Sequence, residues 1–178
     1  MNDGVEYVAF LRGINVGGRS VVKMEDLRKT LESMGFKGVK TVMASGNVRF
    51  RAEEKDVAAL SMHLARGLKE AFGRDIFVIV RPLDDIRELV ARRPFQAVKD
   101  APGARLFVTF FSGSADNCAF FPAGEDGYRI LSVADGAICS VLYEKPGIGA
   151  VELMGAIEKA FGQKVTTRSW STIEKLLK

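Results

Sequence analysis

Cysteine, histidine and tryptophan are scarce in this 178-residue chain, which has two, one and one respectively. Cys118 and Cys139 stand alone, with no Cys-x-x-Cys spacing. That excludes a redox pair or zinc knuckle read from sequence and leaves buried free thiols in a reducing compartment. No His, Cys or carboxylate cluster has metal-ligand spacing, and no serine sits in a nucleophile elbow. No apolar run approaches the roughly 20 residues of a membrane helix, and no tract is of low complexity. The start, Met-Asn-Asp-Gly-Val-Glu, has neither a basic n-region nor an apolar h-region, so a secretory signal is not expected and the cytoplasm is.

What is present is ordinary globular material, 47% hydrophobic and 27% charged. The net charge of +4 is unevenly spread. Residues 1–98 hold 17 Lys and Arg against 13 Asp and Glu, and residues 99–178 hold nine of each. An excess of this size favours an anionic ligand but is modest for a dedicated nucleic-acid binder.

The hydrophobic pattern predicts a strand at Tyr7–Leu11 and a helix carrying Met24, Leu27, Leu31 and Met34, stopped by Gly35. Val39–Met43 and Val48–Arg51 read as a hairpin across Ala44–Asn47. Val57, Leu60, Leu64, Leu68 and Phe72 mark a second helix ended by Gly73, with His63 beside its apolar stripe as a boundary or surface residue. Ile76–Val80 reads as a central strand, and Pro82 opens a short helix closed by Pro94. The order β-α-β-β-α-β is the split βαβ pattern of ferredoxin-like folds. The two outer strands of the pattern are expected at the sheet centre, with both helices on one face.

The second half repeats the first. Phe107–Gly113 echoes Tyr7–Gly13, and Glu158–Gly162 mirrors Lys69–Gly73. Tyr128–Val133 and Ile138–Tyr143 flank Asp135-Gly136, a hairpin signal. Val151, Met154, Ile157 and Phe161 predict a helix and Val165–Arg168 a strand; a last helix is expected to start near Ser169 to Ser171, with Ser171 and Glu174 at capping-box spacing. The stretch 114–122, which should match the first helix, has a poor helical pattern. The fold class is therefore α+β, two tandem ferredoxin-like subdomains in one compact unit. The expected division is residues 1–94, a linker at 95–104, and a degenerate second copy at 105–178.

Three stretches carry a resemblance: Tyr7–Gly18 (Tyr-Val-Ala-Phe-Leu-Arg-Gly-Ile-Asn-Val-Gly-Gly), Ser45–Phe50 (Ser-Gly-Asn-Val-x-Phe) and Thr166–Thr172 (Thr-x-Arg-x-Trp-x-Thr). Together they resemble the bacterial family known as domain of unknown function 1697. The resemblance implies two ferredoxin-like subdomains and no particular activity. One position departs: Ser169 stands where such proteins usually carry Asn.

The same stretches supply the candidate ligand-binding residues: Arg12, Gly13, Asn15, Gly17, Gly18, Ser45, Asn47, Arg168, Trp170 and Thr172. The loop 12–19 is neither a Walker motif nor a dinucleotide fingerprint. Its glycines and the helix start near Lys23 could hold an anion, with Arg12, Arg19 and Lys23 adding charge. The alternative is a plain glycine-rich connection. Ser45-Gly46-Asn47 reads as a site or a simple turn. Trp170 reads as an aromatic wall beside Arg168, or as packing for the last helix. The leading expectation is a small anionic or phosphate-bearing molecule held in a cleft between the halves. The others are a nucleic-acid contact through Arg19, Lys23, Arg49 and Arg51, and a protein-interaction module. Against base stacking, Ser45 and Asn47 occupy positions where an RNA-recognition strand carries aromatics. No cofactor or metal is implied. An enzyme working through Arg, Lys, Ser, Asn and backbone groups is left open.

Overall fold

The computed structural model describes residues 4–15, 21–112, 127–143, 150–162 and 164–178. The chain divides into two compact units, Met1–Glu88 with Lys175–Lys178, and Leu89–Glu174. In the first unit the elements run β1 (Val5–Leu11), α1 (Met24–Ser33), β2 (Lys37–Val42), β3 (Asn47–Ala52), α2 (Val57–Phe72) and β4 (Val78–Pro82). Helix α3 (Leu83–Ala91) follows. The second unit contains β5 (Ala104–Phe111), β6 (Tyr128–Ala134), β7 (Ala137–Tyr143), α4 (Ala150–Phe161) and β8 (Val165–Ser169), and α5 (Trp170–Leu176) begins in it.

Each unit has one four-stranded antiparallel sheet, in the orders β2-β3-β1-β4 and β6-β7-β5-β8. Renumbered from its own first strand, the second order is the same as the first. The architecture is α+β, two ferredoxin-like halves. The outer strands of each pattern are not both central, as expected from sequence. β4 and β8 lie at sheet edges, and the centres are β1 with β3 and β5 with β7. The continuous apolar run misled because it reports burial, not pairing: Val78, Ile79 and Val80 are all buried on a strand with one neighbour.

Local signals decide where the elements start and stop. Asp56 caps α2, its carboxylate accepting from Ala58 N at 2.8 Å and Ala59 N at 3.2 Å. Gly73 ends the helix at φ +68°, its N–H donating to Lys69 O. Asp135 and Gly136 both take positive φ, as a two-residue hairpin turn requires. The helices α1 and α2 bury Leu27, Leu31, Leu60, Leu64 and Leu68 against Tyr7, Ala9, Leu11, Val48 and Phe50. In the second unit Leu153 and Ile157 of α4 pack with Phe107, Phe111, Ile138 and Leu142. Each fully buried apolar side chain of this size contributes roughly 1.5–3 kcal/mol.

Three sequence expectations shift. Val151 is not part of the α4 stripe; it is 78% exposed, because Leu153 and Ile157, one turn apart, define the inward face. Pro82 ends β4, and α3 begins one residue later. Helix α5 starts at Trp170, so Ser171 lies in its first turn and does not cap it. Ser169, just before the helix, bonds the hydroxyls of Ser171 at 3.1 Å and Thr172 at 2.9 Å. The segment 92–104 is tied by turn hydrogen bonds such as Lys99 N to Phe95 O at 2.9 Å, and buries Phe95 and Val98. Residues 114–122, where symmetry calls for a partner of α1, lie outside the described residues.

At Gly46, φ is +78° and a Cβ would fall 2.6 Å from Ile14 Cδ1. We predict that Gly46→Ala destabilises the first unit by about 2 kcal/mol or more, read as a lowered denaturant midpoint. An unchanged midpoint would show that the turn relaxes freely.

Candidate functional site

Two of the quoted motifs meet at one end of the first sheet. After β1, Arg12 N donates to Phe77 O and Leu11 N to Gly46 O, both at 2.8 Å. The chain then turns through Gly13 at φ +68° and Asn15 at φ +58°, a left-handed conformation that asparagine tolerates. The Asn15 amide donates to Val22 O at 3.0 Å and Ala44 O at 2.9 Å, and its Oδ1 accepts from Val22 N at 2.8 Å. Asn47, fully buried, donates to Val42 O at 2.9 Å and Ser45 Oγ at 3.0 Å. These amides hold backbone in place. Gly17, Gly18 and Arg19 lie outside the described residues. Helix α1 starts behind Lys23 with no side-chain cap bond, and Glu25 and Asp26 sit in its first turn. Those carboxylates already complement the positive end of the helix dipole.

The third motif builds the surface around Trp170 in the second unit. Arg168 is a buried residue of β8, and its guanidinium donates to Thr166 Oγ1 and Thr167 O, both at 2.8 Å. Burial pulls its pKa down to about 10, so it remains charged at neutral pH. Thr172 is buried and engaged with Ser169. Trp170 is half-buried, its ring held edge-to-face by Phe95 at 4.8 Å between centroids. Trp170 lines two hollows. One, of about 320 Å³, is lined by Arg105, Phe107, Ser169 and Glu174. The other, of about 480 Å³, is lined by Arg93, Phe95, Gln96, Lys99 and Glu174. Arg93, Lys99 and Arg105 are exposed, and Arg105 lies 5.5 Å from the Phe107 ring centre.

Sequence reasoning found Trp170 but not these cations. They lie in or beside the stretch read as a linker, where Phe95 and the recurring Lys and Arg were the available signal.

Part of the basic first half is neutralised by its own carboxylates where it is described. Arg49 and Arg87 each reach Glu6 at 3.3 Å, and Arg51 lies 3.8 Å away. Arg49 also donates to Leu176 O at 2.9 Å, and Arg87 pairs with Asp84 at 2.6 Å. A phosphate contact through Arg49 would have to displace these partners. Strand β1 offers no open stacking face either, since Tyr7 through Leu11 are buried without interruption. Burial by itself would raise the Glu6 pKa, but the hydrogen bonds from Arg49 and Arg87 and the nearby charges outweigh it and hold the carboxyl below its ordinary 4.5. Burial pushes the Cys139 thiol up, partly countered by a hydrogen bond with Ser132, which leaves it a poor nucleophile. Among the described residues no group of three His, Cys, Asp or Glu could hold a metal, and no helix is long and apolar enough to cross a membrane.

Two outcomes follow. Asn15→Ala removes three hydrogen bonds and should cost about 1–3 kcal/mol, seen in denaturant unfolding; a cost near zero would mean that water replaces the amide. For Glu6 the folded pKa lies below the unfolded one, so its stabilisation is complete above 4.5 and fades as pH falls through the folded value. The stability gap between the native chain and Glu6→Gln should therefore be constant at neutral pH and close on acidification. A gap that is independent of pH would refute this assignment.

The family described as Protein of unknown function (DUF1697) matches residues 5–138. A solved structure of the conserved bacterial protein SP0830 from Streptococcus pneumoniae is similar over 97% of this chain and 96% of that one, with a TM-score of 0.72 at 19% identity. At that identity the likeness establishes the fold. No curated protein matches the chain. The chain belongs to the DUF1697 family.

Proposed function

We propose that this member of the DUF1697 family binds a small anionic ligand with a planar ring, of the nucleotide or aryl-phosphate class, against Trp170. One observation carries the reading: a half-buried indole, in edge-to-face contact with Phe95, lines two hollows that also carry cations. A planar ring gains from stacking on indole, about 1–3 kcal/mol per base in nucleic-acid complexes. Arg93, Lys99 and Arg105 would attract phosphate or carboxylate, and arginine's planar fork suits either. Glu174 lines both hollows and works against an anion, and Lys99 also pairs with Asp100 at 4.0 Å. Arg168, being buried, would position β8 and the Trp170 backbone instead of touching the ligand. The reading goes with a cytoplasmic protein, where phosphorylated metabolites are available and Cys139 stays reduced.

Trp170 is the single tryptophan, so its fluorescence reports on the site directly. We predict saturable quenching by a nucleoside triphosphate at low salt, with the parent nucleoside and inorganic phosphate each binding more weakly. Replacing Arg93 and Lys99 together by Ala should weaken binding about 10-fold, and Glu174→Gln should tighten it. If millimolar nucleotide leaves the fluorescence unchanged, or the charge variants bind like the native chain, the reading fails.

A further inference from the structure

A third hollow, in the first unit, differs in chemistry from the Trp170 surface. It has a volume of about 550 Å³, within the range of small-molecule sites. It lies where three element ends converge. Helix α1 stops at Ser33, and the chain passes through Met34, Gly35 at φ +92° and Phe36 before β2 begins at Lys37. Strand β3 ends at Ala52, and the chain passes through Glu53 and Glu54 before Asp56 caps α2.

The floor is apolar. Phe36 is 8% exposed and Leu60 3%, and Phe36 sits edge-on to Phe50 at 4.7 Å and to His63 at 5.8 Å. The rim carries charge of both signs. Lys37 and Arg51, direct register partners across β2 and β3, both line the hollow. Glu53 and Glu54 follow β3 on the approach to α2. Glu54 is partly committed, its Oε1 accepting from Asp56 N at 2.8 Å, and Arg51 is shared with Glu6. Lys37 and Glu53 are exposed.

We propose that this hollow binds a small zwitterion with an apolar body, of the amino-acid or short-peptide class. The carboxylate would face Lys37 and Arg51, the ammonium would face Glu53, and the apolar side chain would lie on Phe36 and Leu60. A simple anion would meet Glu53 and Glu54 without compensation, and a simple cation would meet Lys37 and Arg51. A ligand carrying both charges at its ends and hydrocarbon between satisfies rim and floor together. His63, at the mouth of the hollow, is the single histidine, so its imidazole is a unique reporter.

The test titrates leucyl-leucine, its N-acetyl form and its C-terminal amide into the full chain while the histidine Cε1–H signal is followed by NMR. The free dipeptide should move that signal saturably, and each blocked form should bind about 10-fold more weakly. Lys37→Gln should abolish the discrimination between acid and amide, and Glu53→Gln the discrimination between free and acetylated amine. The Trp170 fluorescence should stay unchanged throughout, which separates this hollow from the other surface. An unliganded histidine signal at its native position certifies that each variant keeps the hollow folded. The proposal is overturned if millimolar dipeptide leaves the signal in place, if the three ligands bind alike, or if both folded variants keep the native discrimination.

Discussion

The side-chain amide of Asn15 ties together three pieces of backbone that are not neighbours in sequence. Its donors reach the approach to α1 at Val22 and the β2–β3 turn at Ala44, while its own residue sits at φ +58° in the loop leaving β1. Beside it, Gly46 must lack a side chain because Ile14 fills that space. The loop and the turn are therefore mutually dependent. The order of the first sheet requires β1 to lie between β3 and β4, and this lock fixes the end at which β1 delivers the chain to α1. Asn15, Asn47 and Arg168, which look like ligand groups in the sequence, are engaged with backbone in the fold.

Legibility follows the range of the interaction. The αL stop at Gly73, the Asp135-Gly136 turn and the Asp56-led start of α2 are decided within a few residues, and such features are readable from composition and spacing. The duplication was readable too, because each half repeats the same order of patterns. Edge against centre was not: β4 is as apolar as a central strand, and its pairing depends on partners about 70 residues away along the chain. Asn15 was flagged, but its role depends on acceptors 7 and 29 residues distant. The α4 face was misjudged because two overlapping stripes, one through Val151 and one through Leu153, fit the same helical period.

The candidate sites show the same division. Trp170 is conspicuous because it is alone, and Arg168 lies two residues before it, on the same strand-to-helix junction. The fold separates the two, leaving the indole half-exposed and burying the guanidinium against threonine and backbone oxygens. Cations that reach the Trp170 surface come from a stretch whose prolines and glycine made it resemble a connector, although Phe95 anchors it. Charge in the first half was read as a field open to phosphates. In the fold, Glu6 gathers Arg49, Arg51 and Arg87 around itself and cancels part of that field locally.

The last residues, Lys175–Lys178, belong to the first unit, and Arg49 reaches Leu176 O across 127 positions of chain. A polypeptide made from its N-terminus exposes β1, β3 and both flanking helices long before Leu176 is translated. The opening unit must therefore wait on the ribosome with that contact unmade until every residue of the other unit has been synthesised. Closure of the first-made unit thus runs backwards along the chain, through residues made after the whole of the other unit.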